Sequence, residues 1–442
     1  MTVKWDGEAG GFAGPTGGRS GLAADGRAPV SAPRDTRPRG ARPGTPSLLR
    51  ELNDRAALEL LLPGEPLTRA QLAEATGVSK VTVAQMLTRL EDRGLVYVSG
   101  EVAGGRGPNA ALYSVVPSSA YVAALYVESG LVATAVADVT GRVIAEVREN
   151  PEDGPDPVEL ISGAVDRACR KAGVSVSALS SFVIGTPGVV DPSTGDPRFA
   201  INLPAWHEGV LAELRSALRR PVVIENDVNL AAMAEHSSGA AAGVDDFVLV
   251  WIGVGLGLAT VLRGQLHRGA AGAAGEIGYL PVPGAPVSAD VRNPASGGLQ
   301  WLAGAEAVRV LASAYGFAAS SAGESVRAAV AAAEGAPTGG AATEGAAAAR
   351  ADEFLGELAH RVALGVASVC TVLDPGLVVL GGEVGLAGGT QLAERVGAEV
   401  TGMCPAHPRV VPTEVPVVPV LCGALQAAVD HARADLLASV GT

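Results

Sequence analysis

VIENDVNLAAMAE, residues Val223–Glu235, changes character in its middle. Val222–Glu225 has the apolar texture of a short strand, Asn226-Asp227 is polar, and Val228–Glu235 has helical composition. An Asn or Asp where a strand turns into a helix can cap the first free amides of that helix. The same position, at the end of a strand, also suits a polar ligand, and the two roles can coexist. This construction recurs. Ser181–Gly185 runs into Thr186-Pro187-Gly188, Phe247–Ile252 into Gly253-Val254-Gly255-Leu256-Gly257, and Leu377–Leu380 into Gly381-Gly382. Strands that end in Gly-rich or acidic turns are the means by which α/β proteins build ligand clefts.

Outward from this centre the pattern continues. Tyr121–Val127 and Leu131–Val139 predict strands around a turn at Glu128-Ser129-Gly130, with a third strand after Thr140-Gly141-Arg142. Helices are predicted over Pro157–Ala172, over Asp352–Leu373 beneath the Leu377–Leu380 strand, and over Gly423–Leu437. Ala318–Arg350, rich in Ala, Gly and Ser, predicts a helix plus a floppy insertion around Gly335–Gly345.

Residues 46–116 have a different texture. Leu48, Leu49, Leu52, Ala56, Leu60 and Leu61 recur at helical spacing, and Pro63-Gly64 ends that helix. Thr68 is placed to cap a short helix over Arg69–Ala75. Thr76-Gly77-Val78 makes a tight turn, and Ser79 caps a longer helix that runs to about Arg93 with Val83, Leu87 and Leu90 inward. Two helices joined by a three-residue turn containing glycine are a helix-turn-helix. Its second helix presents Ser79, Lys80, Thr82, Gln85 and Arg89, whose chemistry suits phosphates and base edges. Gly94–Val98 and Ala111–Val115 form a return hairpin, a wing with Arg106 at its tip. A helical protein-interaction module with the same hairpin is the alternative, and the near balance of seven basic against eight acidic groups in this segment leans that way. The order of three helices then a hairpin favours DNA binding.

Composition bounds the rest. The 442 residues, 48% apolar, allow two or three domains and a full core. A formal charge of −13 argues against nucleic-acid binding over the whole surface, so any DNA contact is local. Residues 1–45 are basic and Gly/Pro-rich and are expected to be a disordered tail. Such a tail can add phosphate contacts or merely solubilise the chain. Cys169, Cys370, Cys404 and Cys422 are scattered and form no CxxC pair, as in a reducing cytoplasm. Residues 1–25 lack the apolar core of a signal peptide. Phe247–Leu262, an uncharged run, is short and glycine-interrupted and reads as a buried hairpin rather than a membrane span.

Val223–Glu235, Val248–Val282 and Leu373–Glu383 together resemble the ROK family (repressors, open reading frames, kinases), and the resemblance extends over roughly residues 47–440. It implies an α/β actin/hexokinase-like two-lobed body preceded by an α+β winged helix-turn-helix. The expected organisation is a tail over 1–45, a winged helix over 46–117 and a sugar-kinase-like domain over 118–442. Within that domain, 118–237 with the C-terminal helix 423–440 would form the first lobe and 238–422 the second. By the same resemblance Asp227 occupies the position of the kinase base, and Gly188, Asn226, Glu276, Tyr279 and Gln300 join it as sugar contacts. Gly253, Gly255 and Gly257 resemble a phosphate loop, where a tight hairpin is an equally good reading.

The sequence departs from the family pattern in three places. The first phosphate loop reads Tyr126-Val127-Glu128-Ser129-Gly130, where an acidic residue and a glycine are usual, and Glu128 would repel phosphate. The segment corresponding to the family's zinc cluster, Val291–Gln300, has no cysteine, and Tyr279 stands where a histidine is usual, so no structural zinc is expected. Gln300 replaces a sugar-binding glutamate. The expectation is therefore a transcriptional regulator, a repressor, whose degenerate kinase-like body senses a sugar or related molecule. It would use no cofactor, bind a double-stranded operator as a homodimer or homotetramer, and work away from membranes. An active sugar kinase carrying a DNA-binding appendage and a ligand-independent repressor are the alternatives.

Overall fold

The computed structural model describes residues 46–103, 109–128, 130–150, 156–198, 209–335, 341–415 and 418–440. The tail over 1–45, Arg106 at the wing tip and residues 336–340 of the expected insertion lie outside them.

The chain opens with helix α1 (Pro46–Leu61), strand β1 (Leu67–Thr68), helices α2 (Arg69–Thr76) and α3 (Lys80–Asp92), and strands β2 (Val96–Val102) and β3 (Ala110–Val115). Local chemistry sets each boundary. The Thr68 hydroxyl accepts from the Gln71 amide, and the Gln71 side chain accepts from the Thr68 amide, closing a capping box. Gly77 ends α2 in the left-handed region at φ 70°, where a side chain would be strained. Ser79 then caps α3 through the Thr82 amide. The strands pair antiparallel in the order β1-β3-β2. Ala57, Leu58 and Leu61 of α1 are buried with Leu72, Val83, Leu87 and Leu90. Leu48, Leu49 and Leu52, on the earlier turns of the same helix, are exposed, so apolar spacing marked the helix but not where its core contact begins.

Two five-stranded sheets follow, with one topology. In the first, β4 (Tyr121–Glu128), β5 (Leu131–Asp138) and β6 (Val143–Glu149) form an antiparallel meander. After α4 (Pro157–Ala172), β7 (Leu179–Thr186) pairs parallel with β4. A small ribbon of β8 (Val189–Val190) and β9 (Pro197–Arg198) comes next, then α5 (Val210–Leu218). Strand β10 (Val222–Asn226) pairs parallel with β7, giving the order β10-β7-β4-β5-β6, and α6 (Asp227–Ser238) follows directly.

The second sheet repeats this plan. Strands β11 (Phe247–Ile252), β12 (Leu256–Leu262) and β13 (Gln265–Leu266) form the meander. Helices α7 (Gly298–Ala303), α8 (Ala305–Ala314), α9 (Ala322–Ala333) and α10 (Ala341–Leu373) lead to β14 (Leu377–Gly381), which pairs parallel with β11. Helix α11 (Gly382–Met403), kinked at Gly389, and β15 (Arg409–Pro412) complete the order β13-β12-β11-β14-β15. The last helix, α12 (Pro419–Val440), returns to the first lobe. Phe247–Leu262 is a hairpin, as its glycines predicted. Helix α10 begins eleven residues before the predicted Asp352. Its Gly345–Leu373 stretch is long and apolar enough to cross a membrane, but 56% of the relevant window is buried inside the protein.

Side-chain alternation places the cores. Ala123, Leu125 and Val127 of β4 face the α4/α5 side, while Val122, Ala124 and Tyr126 join the cluster that contains α6 and α12. Phe247 and Leu249 of β11 face that same cluster, and Val248, Val250 and Ile252 face α8–α11. Helices α6 and α12 are therefore packed between the two sheets. Their cluster runs without a break into the winged helix through Leu58, Leu61 and Leu90.

Arg89 departs from expectation. Its Nε and Nη2 donate to Oδ2 and Oδ1 of buried Asp54 at 2.8 and 2.5 Å, tying α3 to α1. Removing one partner of a half-buried bidentate pair leaves the other unpaired, at a cost between that of exposed and fully buried pairs. Asp54→Ala should destabilise the protein by about 2–3 kcal/mol in chemical denaturation. A loss below about 0.5 kcal/mol would show the pair to be inert.

Candidate ligand cleft and DNA-binding helix

Five-residue strand β10 ends where α6 begins, and that junction assembles the cleft. The Asn226 side chain caps α6 by accepting from the Asn229 amide at 3.0 Å and donates to the Gly188 carbonyl at 3.0 Å. It thereby ties the Thr186-Pro187-Gly188 turn to the helix start. Buried Glu225 accepts from the Asn229 side chain at 2.9 Å and pairs with Arg268 at 2.7 Å. One oxygen of Asp227 accepts from the Val228 amide at 2.8 Å, and its carboxyl faces a cleft of about 480 Å³ between the two sheets.

Gly188, Asn226, Asp227, Glu276, Tyr279 and Gln300 all line this cleft, together with Gly255 and Gly257; Gly253 does not. Besides Asn226, two of these side chains are engaged elsewhere. The Tyr279 hydroxyl donates to the Val291 carbonyl at 2.6 Å. Gln300 accepts from the Leu256 amide and donates to the Val254 carbonyl, both at 2.8 Å, so it staples the glycine loop that the resemblance made a phosphate loop. Gly257 has a steric reason of its own, since a Cβ there would lie 2.7 Å from the Val228 side chain of α6. Val254 projects 62% exposed from the loop tip.

Tyr126, Glu128, Trp251 and Asn293 also line the cleft and were not assigned to it from sequence. The signal was available for two of them. Tyr126 and Glu128 are two apart on β4, hence on one face, and that face continues the α6 side. The Tyr126 hydroxyl donates to Glu128 at 2.8 Å.

Three carboxylates, Glu128, Asp227 and Glu276, thus share one cleft, and among the described residues no Lys, Arg or His side chain lines it. Burial first, then the charges of Glu128 and Glu276, pushes the Asp227 carboxyl up to about 7 from an ordinary 3.8. Burial also raises Glu276. Burial, with Asp227 and Glu128 adding to it, raises the Tyr126 phenol and keeps it a neutral donor.

Zinc does not fit here. Val291–Gln300 offers no thiolate or imidazole, and Tyr279 spends its hydroxyl on Val291. Among the described residues no group of three or more His, Cys, Asp or Glu side chains is placed to hold a metal ion.

On α3, Ser79, Lys80 and Gln85 are exposed, and Thr82 is partly so, its hydroxyl paired with Ser79 at 2.9 Å. Arg89 is held by Asp54 instead. Val81 is 69% exposed beside Lys80, an apolar group suited to a thymine methyl, which a search for polar residues passed over.

A model of the ROK family matches residues 129–418, and a MarR family model matches residues 52–107. The chain belongs to the ROK family. The xylose repressor of Caldicellulosiruptor bescii is 25% identical to this ROK protein over 244 residues, 54% of this chain and 61% of that protein. The match therefore spans about three fifths of the relative's length. Two crystal structures share its fold. A ROK family transcriptional regulator, a homologue of the E. coli MLC protein, gives a TM-score of 0.65 at 19% identity, covering 88% of this chain and 99% of the other. A ROK hexokinase from Thermus thermophilus gives 0.55 at 28% identity, covering 71% and 99%. The body of this ROK protein thus has the hexokinase-like fold, preceded by a winged helix of MarR type.

Between about 4 and 7 the folded chain holds a proton on Asp227 that the unfolded chain has released. Stability from this group therefore falls as pH rises through 7, by about 1.4 kcal/mol for each unit of displacement. Asp227→Asn removes the charge while Glu128, Glu276 and Tyr126 remain. It should raise the melting temperature at pH 8, with the gain shrinking as pH is lowered to 5. A variant that melts below the parent at pH 8 would contradict the assignment.

Proposed function

We propose that this ROK protein is a cytoplasmic DNA-binding transcriptional regulator, a repressor, whose kinase-like body binds a sugar or related molecule and pairs with a second copy. Helix α3 would enter the major groove led by Ser79, Lys80, Val81, Thr82 and Gln85, with Arg106 of the wing reaching a phosphate or the minor groove. Two copies would meet a palindromic operator. The relatives include repressors and kinases, and two features of the cleft favour a receptor. Its three carboxylates oppose a polyphosphate, and Gln300 occupies the groups of the loop that would face one.

The observation that carries this reading is the path between the two sites. Helix α12 packs along α6, the helix that Asp227 begins, so closely that a Cβ at Gly423 would lie 1.8 Å from the Leu230 carbonyl oxygen. Further along α12, Arg433 donates to the carbonyls of Val139 and Thr140 in the body and of Leu62 after α1, at 2.9, 2.9 and 3.0 Å. At the end of α12, the carbonyls of Ser439 and Val440 accept from Arg93, which ends α3, at 2.7 and 3.3 Å. A ligand that moves α6 would thus move the recognition helix. A preference of about 1.4 kcal/mol for one arrangement shifts occupancy tenfold.

Gel shifts with genomic fragments, with and without sugars, test the proposal. Gln85→Ala should weaken operator binding by about five- to a hundredfold, the range for loss of one good base contact. Arg433→Ala should leave sugar affinity within about twofold but abolish the effect of sugar on DNA binding. A variant that keeps the full sugar response removes α12 from the pathway. The Asp227 carboxyl, near 7 in a cleft, would also suit a kinase base. Robust ADP release with any hexose would therefore overturn the receptor reading.

A further inference from the structure

The cleft is unbalanced in charge. Its carboxylates come from three separate places: Glu128 ends β4, Asp227 begins α6, and Glu276 precedes the short turn Ile277–Tyr279. Among the described residues none has a cationic partner. Arg268, which pairs with Glu225, does not line the cleft. Glu276 is partly buried, yet no group among the described residues donates to its carboxylate. Glu128 takes one hydrogen bond on Oε2, from Tyr126, and no group among the described residues donates to its Oε1. The remaining polar side chains of the lining, Asn226, Asn293 and Gln300, are neutral, and three aromatic residues, Tyr126, Trp251 and Tyr279, also line it.

Building on the sugar-receptor reading, we infer that the effector is a cationic amino sugar, a polyol bearing a protonated amine that is held by Glu128 with Asp227 and Glu276 around it. The argument is electrostatic. A neutral sugar entering this cleft removes water from the three carboxylates and leaves their mutual repulsion in place. A phosphorylated sugar adds charge of the same sign. An ammonium group supplies the missing charge and up to three donors, and its hydrogen bonds to carboxylates are of the stronger, charge-assisted kind. Aromatic faces favour a cation further. Asn293 and the second Nδ2 hydrogen of Asn226 serve the hydroxyls. Acetylating the nitrogen would abolish the advantage, because the amide carries no charge. The cleft volume of about 480 Å³ lies within the usual range for small-molecule sites.

Calorimetric titration of the full chain at pH 7.5 tests this. The probes are glucose, its 2-, 3- and 6-amino derivatives, N-acetylglucosamine and glucose 6-phosphate. The expected result is that at least one amino derivative binds tenfold or more tightly than glucose and N-acetylglucosamine, with glucose 6-phosphate weakest. Glu128→Gln should reduce that advantage to threefold or less, and a circular dichroism spectrum matching the parent's shows that the variant is folded. If glucose, the acetylated sugar or the phosphate binds as well as every amine, or if Glu128→Gln keeps the preference, the charge assignment is wrong while the sugar reading stands. If no probe binds, the sugar reading fails and the amine assignment fails with it.

Discussion

One contact sets the spacing of the whole molecule. At Gly423 helix α12 meets the backbone of α6 at Leu230 with no room for a side chain. The two helices therefore move as one body. Their joint surface fills the space between the two sheets, with Val122, Ala124 and Tyr126 on one side and Phe247 and Leu249 on the other. Everything of functional interest is measured from this pair. The N-terminus of α6 places Asp227, and the 22 residues of α12, about 33 Å of helix, end against Arg93. A larger residue at Gly423 would separate the helices and disturb cleft and winged helix together.

The cleft combines a hexokinase-like frame with an acidic lining. The glycine loop between β11 and β12 looks made for phosphate, but its geometry has other causes. Gly257 lets Val228 approach, and Gln300 satisfies Leu256 and Val254 from inside. These demands hold whether or not a nucleotide ever binds, so the glycines do not separate a kinase from a receptor. The charge of the lining separates them better. Glu128 lines the cleft with Asp227, where a polyphosphate would need a neutral or positive surface, and burial first, then the charges of Glu128 and Glu276, raises the Asp227 carboxyl.

What could be read in the sequence divides along physical lines. Local rules worked where the cause was local. Thr68, Gly77 and Ser79 each fix a helix end by contacts within a few residues, and all three act where the sequence placed them. The strand-turn-helix at Asn226-Asp227 follows the same logic. Side-chain roles that depend on distant partners were not legible. Arg89 has the right type and helix face for DNA, but Asp54, 35 residues earlier, claims it. Gln300 has the right type for a sugar, but its amide is taken by a loop 44 residues away. Arg433 carries no motif at all, and its three carbonyl partners lie on two other segments. Glu128 was read as a damaged phosphate loop. Its place as a wall of the cleft emerged only when β4, α6 and the Glu276 turn were brought together.

The attachment of the winged helix narrows how a ligand signal can travel. Strand β3 ends at Val115, a single helical turn spans Pro117–Ser119, and β4 begins at Tyr121, so almost no linker separates the two parts. Their apolar residues form one continuous cluster, and Arg433 and Arg93 fasten them again through α12. Ordering of a flexible connection is therefore not an available mechanism at this junction. The winged helix is thereby fastened to the first lobe at several points. The freedom that remains lies across the cleft, where β12 rests on α6 through Gly257 and Val228. Closure about that contact would change the angle between the lobes. In a pair of chains joined through their bodies it would also change the separation of the two recognition helices, and operator geometry responds to that separation.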